Sequence, residues 1–165
     1  MALTPAITDL EQLKDRPALA RLLAWNREAV QGARYDREEL TVYIDRPFIR
    51  QAGALLRGDA ELQFNFLADV TCVDWYPREP RFEVVYEFLS LARKERLRLK
   101  VRLAGADPQV ESLTSVWPAA NFFEREVFDL FGIHFEGHPG LRRIMMPEDW
   151  EGHPLRKDYP VEGYR

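Results

Sequence analysis

Three histidines, His134, His138 and His153, lie in the last third of the chain, with carboxylates nearby. Imidazole and carboxylate groups together bind zinc or iron, so a metal-dependent hydrolase is one hypothesis for this stretch. Metal sites need a rigid shell of oriented ligands, and the intervening glycines and prolines oppose a helix that would align the imidazoles. We therefore favour imidazoles that cap turns or bond across an interface, and we expect no metal in this chain. The nearby carboxylates are Glu136, Glu148 and Asp149.

A second candidate for chemistry is the carboxylate group formed by Glu124, Glu126 and Asp129. Paired carboxylates can act as general acid and base, which requires a raised pKa on one of them. Arg125 lies beside them and favours their ionised forms, which opposes that shift. The sequence therefore predicts a salt-linked helix face and no catalytic residue.

Basic residues alternate over positions 96–102, a spacing that would let a strand follow a phosphate backbone. The net charge of −4 gives no general attraction to nucleic acid. Glu83 and Glu87 lie on the preceding predicted strand, where they can pair with the basic side chains. We predict a solvated strand face that carries Arg96, Arg98, Lys100 and Arg102.

The single cysteine, Cys72, limits the cofactors that this chain can hold. It cannot form an internal disulfide, and an iron–sulfur cluster needs about four ligands. Its position on the apolar side of a predicted strand indicates a buried thiol, as expected in a reducing compartment. No Gly-rich phosphate loop or nucleophile elbow is present. No apolar run reaches the ~18 residues of a membrane span, and the first five residues lack a signal-peptide pattern.

Hydrophobic periodicity predicts the strands that would position these residues. Apolar residues alternate over 62–72, 82–88 and 97–103, and short connections join these runs. Short connections favour antiparallel neighbours, so we predict a meander with one buried face. A hairpin over 30–45 precedes it.

Helical spacing and capping residues predict four helical segments. The first spans 10–25, and Asp15 to Pro17 can begin a second turn within it. The others are expected at 47–58, after Asp107 and Pro108, and at 118–131, where Gly132 is the stop. On the last helix, Phe123, Val127, Leu130 and Phe131 share the predicted core face, and Phe122, Arg125, Glu126 and Asp129 share the other. Phe122 would be poorly covered unless another chain packs on it.

Periodicity stops after Gly132, although large apolar residues continue. A disordered tail is poorer in such residues, so we predict an extended arm that binds a neighbouring chain. The sequence thus divides into an α+β domain over 1–132 and an extended interaction arm over 133–165. The apolar residues of the arm include Leu141, Ile144, Trp150, Leu155 and Tyr159.

The run EREVFDLFGI at Glu124–Ile133, followed by Gly137–Pro139 and Leu141–Ile144, resembles a family signature. The family is the thirty-kilodalton subunit of the proton-pumping NADH:quinone oxidoreductase, respiratory complex I. Residues 67–74, 82–86 and 151–160 are also similar to it, so the resemblance spans roughly residues 60 to 160. Many relatives continue beyond the position of Arg165, so we expect a shorter arm here.

The resemblance implies a two-layer α+β domain whose mixed, largely antiparallel sheet is packed by helices. It implies a peripheral, non-catalytic subunit in the hydrophilic arm of the complex, on the cytoplasmic side of the cell inner membrane. Such a subunit supports electron transfer from NADH to quinone and the coupled proton translocation. It holds no flavin and no iron–sulfur cluster, which partner subunits carry, and its main partner is the forty-nine-kilodalton subunit of the same complex.

We expect the contacts with neighbouring chains to come from the last helix and the arm. Basic side chains would pair with carboxylates of the partner, and apolar side chains would be buried there. The expected interface residues are Phe122, Glu124, Arg125, Glu126, Asp129, His138, Leu141, Arg142, Arg143, Ile144, Asp149, Trp150, His153, Arg156, Lys157, Asp158 and Tyr159.

Related machines remain open at this point. Similar subunits occur in membrane-bound hydrogenases, coenzyme F420 dehydrogenases and the ferredoxin-dependent quinone reductase of photosynthesis. The sequence does not separate these from complex I, because the electron-input module lies on other chains.

Overall fold

The computed structural model describes residues 5–163. Residues 1–4, where we expect no signal peptide, and residues 164–165, the last two of the predicted arm, lie outside the described part. Four α-helices, two short 3-10 helices (Arg27–Ala29 and Arg46–Phe48) and two sheets make up the described fold. The helices are α1 (Leu10–Leu13), α2 (Pro17–Trp25), α3 (Ile49–Gly58) and α4 (Ala120–Phe131). The strands are β1 (Val30–Asp36), β2 (Glu39–Ile44), β3 (Phe66–Asp74), β4 (Phe82–Ser90), β5 (Glu95–Leu103), β6 (Gln109–Glu111) and β7 (His134–Glu136).

The main sheet has the strand order β1-β2-β5-β4-β3. The pairs β1–β2, β3–β4 and β4–β5 are antiparallel, as the predicted hairpin and meander require. The remaining pair, β2–β5, is parallel, because the chain crosses through α3 and two strands before it returns beside β2. The structure therefore confirms an α+β fold with a mixed, largely antiparallel sheet.

One face of this sheet carries the core. Val84, Tyr86 and Phe88 of β4 are buried on it. The helices cover this face, and α3 approaches closely enough that a Cβ on Gly53 would lie 2.9 Å from the Trp117 ring. The Trp117 ring in turn packs on Phe88, with 4.9 Å between ring centroids.

The opposite face of the sheet is polar. It carries the basic residues of positions 96–102, as predicted. Glu83 and Glu87 of β4 pair with the basic residues of β5. Arg98 binds Glu87 and Glu39, and Lys100 binds Glu83 with 2.6 Å between nitrogen and oxygen. Cys72 is buried, as predicted, and burial raises the pKa of its thiol.

Three local predictions were wrong. The first helical segment is two helices, because Pro17 begins α2 after a turn. Strand β3 begins at Phe66 rather than near residue 62, and a bulge between Leu67 and Asp69 turns Phe66 outward, where it is 48% exposed. Pro108 precedes β6 instead of a helix, and β6 pairs in parallel with β7.

Candidate interaction site

Helix α4 ends where the sequence predicts, at the left-handed Gly132, whose φ is +72°. The last carbonyls of a helix have no partner inside it. Here the arm supplies the partners, because it folds back on the helix that precedes it. The bonds run from His153 Nδ1 to the Asp129 carbonyl (2.9 Å), from Leu155 N to the Leu130 carbonyl (3.0 Å), and from Arg156 Nε to the Phe131 carbonyl (2.6 Å).

The Asp129 carboxylate organises the first part of the arm. It is fully buried, and its Oδ1 accepts a hydrogen bond from Arg143 Nη1 at 2.6 Å. Its Oδ2 accepts the backbone N–H groups of Ile144, Met145 and Met146 at 2.7–2.9 Å. Burial by itself would raise the pKa of Asp129, but these donors outweigh burial and lower it. A charged, fully satisfied carboxylate therefore fixes three consecutive residues of the arm.

Arg143 completes this junction with further bonds to the arm itself. Its Nη2 donates to the carbonyls of Trp150 (2.8 Å) and Gly152 (3.0 Å). Arg125 of α4 donates to the carbonyls of Arg142 and Arg143 from the other side. Both guanidiniums thus hold backbone groups that no strand or helix would satisfy.

The end of the arm is attached at a second point, the turn between β3 and β4. Arg81 Nη2 lies 2.8 Å from buried Asp74 and 2.6 Å from Asp158 of the arm. The Lys157 N–H also donates to Asp74 Oδ2 at 2.9 Å, and Arg156 lies over the Phe82 ring. Burial opposes ionisation of Asp74, but its hydrogen bonds from Arg81 and from backbone N–H groups lower its pKa to about 2.

Glu124 differs from Asp129, although the sequence placed both on one charged face. Its side chain points from α4 into the interior and is fully buried. The carboxylate accepts hydrogen bonds from the Ser112 hydroxyl and the Leu113 N–H, each at 2.6 Å. Burial raises its pKa to about 7, and the two hydrogen bonds reduce that rise. The expectation that Arg125 opposes a raised pKa here was wrong, because the Arg125 side chain turns to the arm instead.

The residues expected at the interface divide into two groups. The first group makes bonds inside the chain, and it includes Glu124, Arg125, Asp129, Arg143, His153, Arg156, Asp158 and Tyr159. Sequence reasoning assigned Arg143 and Asp129 to contacts with other chains, whereas the structure joins them to each other. His138 also bonds internally, to the Asn121 carbonyl and the Gly140 N–H, and Leu141 packs on the core. Lys157 uses its backbone N–H, and its side chain is exposed.

The second group remains exposed, and its apolar members are Phe122 (62% exposed), Ile144 (39%) and Trp150 (38%). Two further apolar side chains are also exposed, Met145 (61%) and Leu155 (51%), and we call these five residues the outer apolar surface. Glu126, Arg142 and Asp149 are exposed as well. Met145 and Leu155 were absent from the expected interface, although their size within a non-periodic segment is the same signal that selected Ile144 and Trp150.

Two residues that position the arm, Asp74 and Arg81, were also missed. Asp74 is 83 residues from Lys157 and Arg81 is 77 residues from Asp158, so no local pattern connects them. Among residues 5–163, no group of three or more His, Cys, Asp or Glu side chains is arranged to hold a metal ion. In the same range, no helix has both the length and the apolar character to cross a membrane.

Known proteins are similar to this chain in sequence and in fold. The family model described as respiratory-chain NADH dehydrogenase, 30 Kd subunit, matches residues 42–165. Two curated relatives are named as the C subunit of NADH-quinone oxidoreductase. The relative from Roseiflexus sp. (strain RS-1) is 50% identical over 149 residues, which cover 90% of this chain and 86% of the relative. The relative from Citrifermentans bemidjiense is 48% identical over 127 residues, which cover 77% and 78%.

Two solved structures are similar as well. A trypsin-resistant fragment of Nqo5 is 35% identical with a TM-score of 0.61, and the match covers 75% of this chain and 99% of that fragment. A chain of the membrane-bound sulfane sulfur reductase, an archaeal respiratory membrane complex, is 25% identical with a TM-score of 0.74. That match covers 90% of this chain and 86% of the other.

Proposed function

This chain belongs to the family of the 30 Kd subunit of respiratory-chain NADH dehydrogenase, and on that premise we propose how it acts. It is a structural subunit of the hydrophilic arm of NADH:quinone oxidoreductase, complex I. It supports the quinone-reducing module while electrons pass from NADH to quinone and protons are translocated. The chemistry belongs to the complex, and this chain contributes no catalytic residue of its own.

The observation that carries this proposal is the outer apolar surface on a fixed arm. Five large side chains, 38–62% exposed, lie on α4 and on a segment without regular secondary structure. The segment is held at two places, by Asp129 and by Arg81, so these side chains are presented by an ordered backbone. Large apolar groups that are held rigidly in solvent mark a protein interface.

The charged residues around this surface are suited to its rim. Glu126, Arg142 and Asp149 are exposed and can form the polar ring that commonly surrounds an apolar interface centre. The partner we propose is the forty-nine-kilodalton subunit, on the cytoplasmic side of the membrane. Iron–sulfur clusters would lie on partner subunits, because this chain has a single cysteine, which is buried. We place the flavin on a partner subunit as well.

One finding supports an alternative, in which the chain is the equivalent subunit of a related respiratory complex. The sulfane sulfur reductase chain has the higher TM-score of the two solved structures described above, so related respiratory complexes use this fold. The curated relatives from NADH-quinone oxidoreductase are, however, about twice as similar in sequence. Complex I is therefore the proposed assignment, and an equivalent subunit of a related complex is the alternative.

The test introduces charge into the outer apolar surface of the whole complex. Phe122→Glu with Met145→Glu should leave the free chain folded, with an unfolding free energy within about 0.5 kcal/mol of wild type, since both side chains are exposed. In membranes, the double variant should lose assembled complex on native gels and NADH-driven quinone reduction. The matched control is Leu91→Glu, 65% exposed at the turn between β4 and β5, at the far end of these strands from Arg81. Intact complex with normal activity in the double variant would overturn the proposal.

A further inference from the structure

The polar face of the main sheet contains a surface cleft on the side opposite the core. The cleft encloses about 390 Å³ and crosses several strands. Tyr43 of β2 lies beside Lys100 of β5 in the register, and Glu83 of β4 lies beside Arg102. The turn after β3 closes one side. The lining includes Tyr43, Trp75, Arg78, Glu83, Lys100 and Arg102.

The cleft has more positive than negative charge. Four basic side chains face two carboxylates in its lining. The Glu83 carboxylate is buried and is shared by Lys100 at 2.6 Å and Arg102 at 3.5 Å, so one carboxylate serves two cations. The Glu79 carboxylate accepts hydrogen bonds from the backbone N–H groups of Gly105 and Arg81. Arg34 is paired with Asp36, which lies outside the lining, at 2.7 Å. The lining and this partner together carry four positive and three negative charges, so an excess of one positive charge remains.

Two of the cations can reach a partner. The Arg102 side chain is 51% exposed, and its guanidinium carbon lies 4.5 Å from the centroid of the Tyr43 ring, which fixes its position. Arg78 is exposed on the turn after β3, and within residues 5–163 no carboxylate lies at ion-pair distance from it. Guanidinium groups bind carboxylates with two parallel hydrogen bonds, which favours an acidic peptide over a neutral one.

An apolar contact lies beside these cations. Trp75 is 41% exposed in the same lining, and the adjacent Tyr76 is 48% exposed. An indole held at the edge of a cationic cleft can receive an aromatic or aliphatic side chain. The cleft thus combines two accessible guanidiniums with one apolar platform.

We propose that this cleft binds an extended acidic segment of another subunit, with carboxylates on Arg78 and Arg102 and an apolar side chain on Trp75. The site lies on the opposite face of the main sheet from α4 and next to the turn that holds Asp158 of the arm. It is separate from the outer apolar surface, so it would be a second point of attachment. The proposal rests on the proposed function, because it assigns the segment to a partner within the same complex.

The experiment measures binding of a fluorescein-labelled synthetic peptide of alternating glutamate and phenylalanine to the full chain by anisotropy. The double neutralisation Arg78→Gln with Arg102→Gln should weaken binding about fivefold or more, and raising salt should weaken wild-type binding. The single variant Arg78→Glu breaks no ion pair within the described residues and leaves Glu83 paired with Lys100 and Arg102. This variant alone should weaken peptide binding. The control is Arg96→Gln, on the same strand as Arg102 but outside the cleft, with a side chain 69% exposed; it should leave the affinity within about twofold.

Three results would overturn the proposal: no binding of the acidic peptide, equal binding of a lysine–phenylalanine peptide, or unchanged affinity in Arg78→Glu. Binding of phosphatidylglycerol vesicles through Arg78 and Arg102, without binding of the peptide, would overturn it in favour of lipid headgroups. The arm variant Phe122→Glu with Met145→Glu should bind the peptide like wild type. The peptide experiment therefore tests the cleft proposal independently of the proposed role of the outer apolar surface.

Discussion

The buried carboxylate of Asp129, in the last turn of α4, lies 2.6 Å from the guanidinium of Arg143 in the arm. This pair joins two residues that are 14 positions apart, so each charge meets its countercharge within the chain. The arm is consequently part of the fold of its own subunit. In the function proposed above, the apolar side chains beside this pair are the part of the arm that contacts a partner.

Loss of the Arg143 side chain should destabilise the free chain. Arg143→Met leaves Asp129 buried without its countercharge and frees the Trp150 and Gly152 carbonyls, so we expect a loss of about 3 kcal/mol. Urea denaturation of the purified chain measures this loss. The matched control is Arg142→Met, an exposed neighbour, which should change stability by less than about 0.5 kcal/mol. A change below about 1 kcal/mol in Arg143→Met would contradict this role.

The backbone N–H groups of Ile144, Met145 and Met146 should exchange slowly in the free chain, because one buried oxygen accepts all three. Asp129→Asn replaces one carboxylate oxygen with a donor that faces other donors. We expect exchange at these three positions to accelerate about tenfold or more. Hydrogen exchange followed by NMR tests this, and Lys157 N–H, bound to Asp74, provides the unaffected reference. Fast exchange of all three in wild type would mean that the arm is mobile before assembly.

Gly132 and Gly137 both have a left-handed backbone, but only Gly132 is closely packed. Substituting each with alanine therefore distinguishes the cost of backbone strain from the cost of a steric clash. A Cβ on Gly132 would lie 2.5 Å from atoms of Arg156 and His153, whereas a Cβ on Gly137 would meet nothing within 4 Å. Both residues have positive φ, +72° and +77°. Gly137→Ala should therefore cost about 1 kcal/mol, and Gly132→Ala should cost at least about 2 kcal/mol more, since the arm must move. Thermal unfolding of both variants measures the difference, and equal costs would contradict the close contact.

Glu124 should make stability fall as pH rises. Burial raises its pKa from an ordinary 4.5 to about 7, so the folded chain retains between these values a proton that the unfolded chain releases. The free energy of unfolding should consequently decrease from about pH 4.5 to about pH 7 by roughly 3 kcal/mol, and then level off. In Glu124→Gln the amide oxygen can still accept the Leu113 N–H, and the amide nitrogen can donate to Ser112 Oγ. This variant does not titrate, so it should lose this decrease.

His153 acts in the opposite direction over part of this range. Burial lowers its pKa below 6.5, so its contribution to stability rises with pH. The quantity to measure is therefore the difference in unfolding free energy between wild type and Glu124→Gln at each pH, in which the His153 contribution cancels. A difference that stays constant from about pH 4.5 to about pH 8 would show that Glu124 keeps an ordinary pKa.

Much of the fold was accessible from the sequence, since period-two alternation predicted the meander and helical spacing with Gly132 predicted α4. The errors have physical causes. The bulge at Leu67 and Asp69 reverses the faces of β3 before it, so Phe66 is exposed against its pattern. At Pro108 the local aspartate–proline signal favoured a helix, but pairing of β6 with β7, which lies about 25 residues further along the chain, gave a strand instead.

By itself, the sequence determined the family, the class of fold, and the large apolar side chains of α4 and the arm. These features depend on residue type and local spacing, which a linear pattern records. Only the tertiary structure decided which charges remain inside the chain. Asp129 meets Arg143, and Arg81 meets Asp158, across separations that no periodicity reports. Burial then distinguishes Glu124 from Asp129, since the pKa of a carboxylate depends on the donors that the fold brings to it.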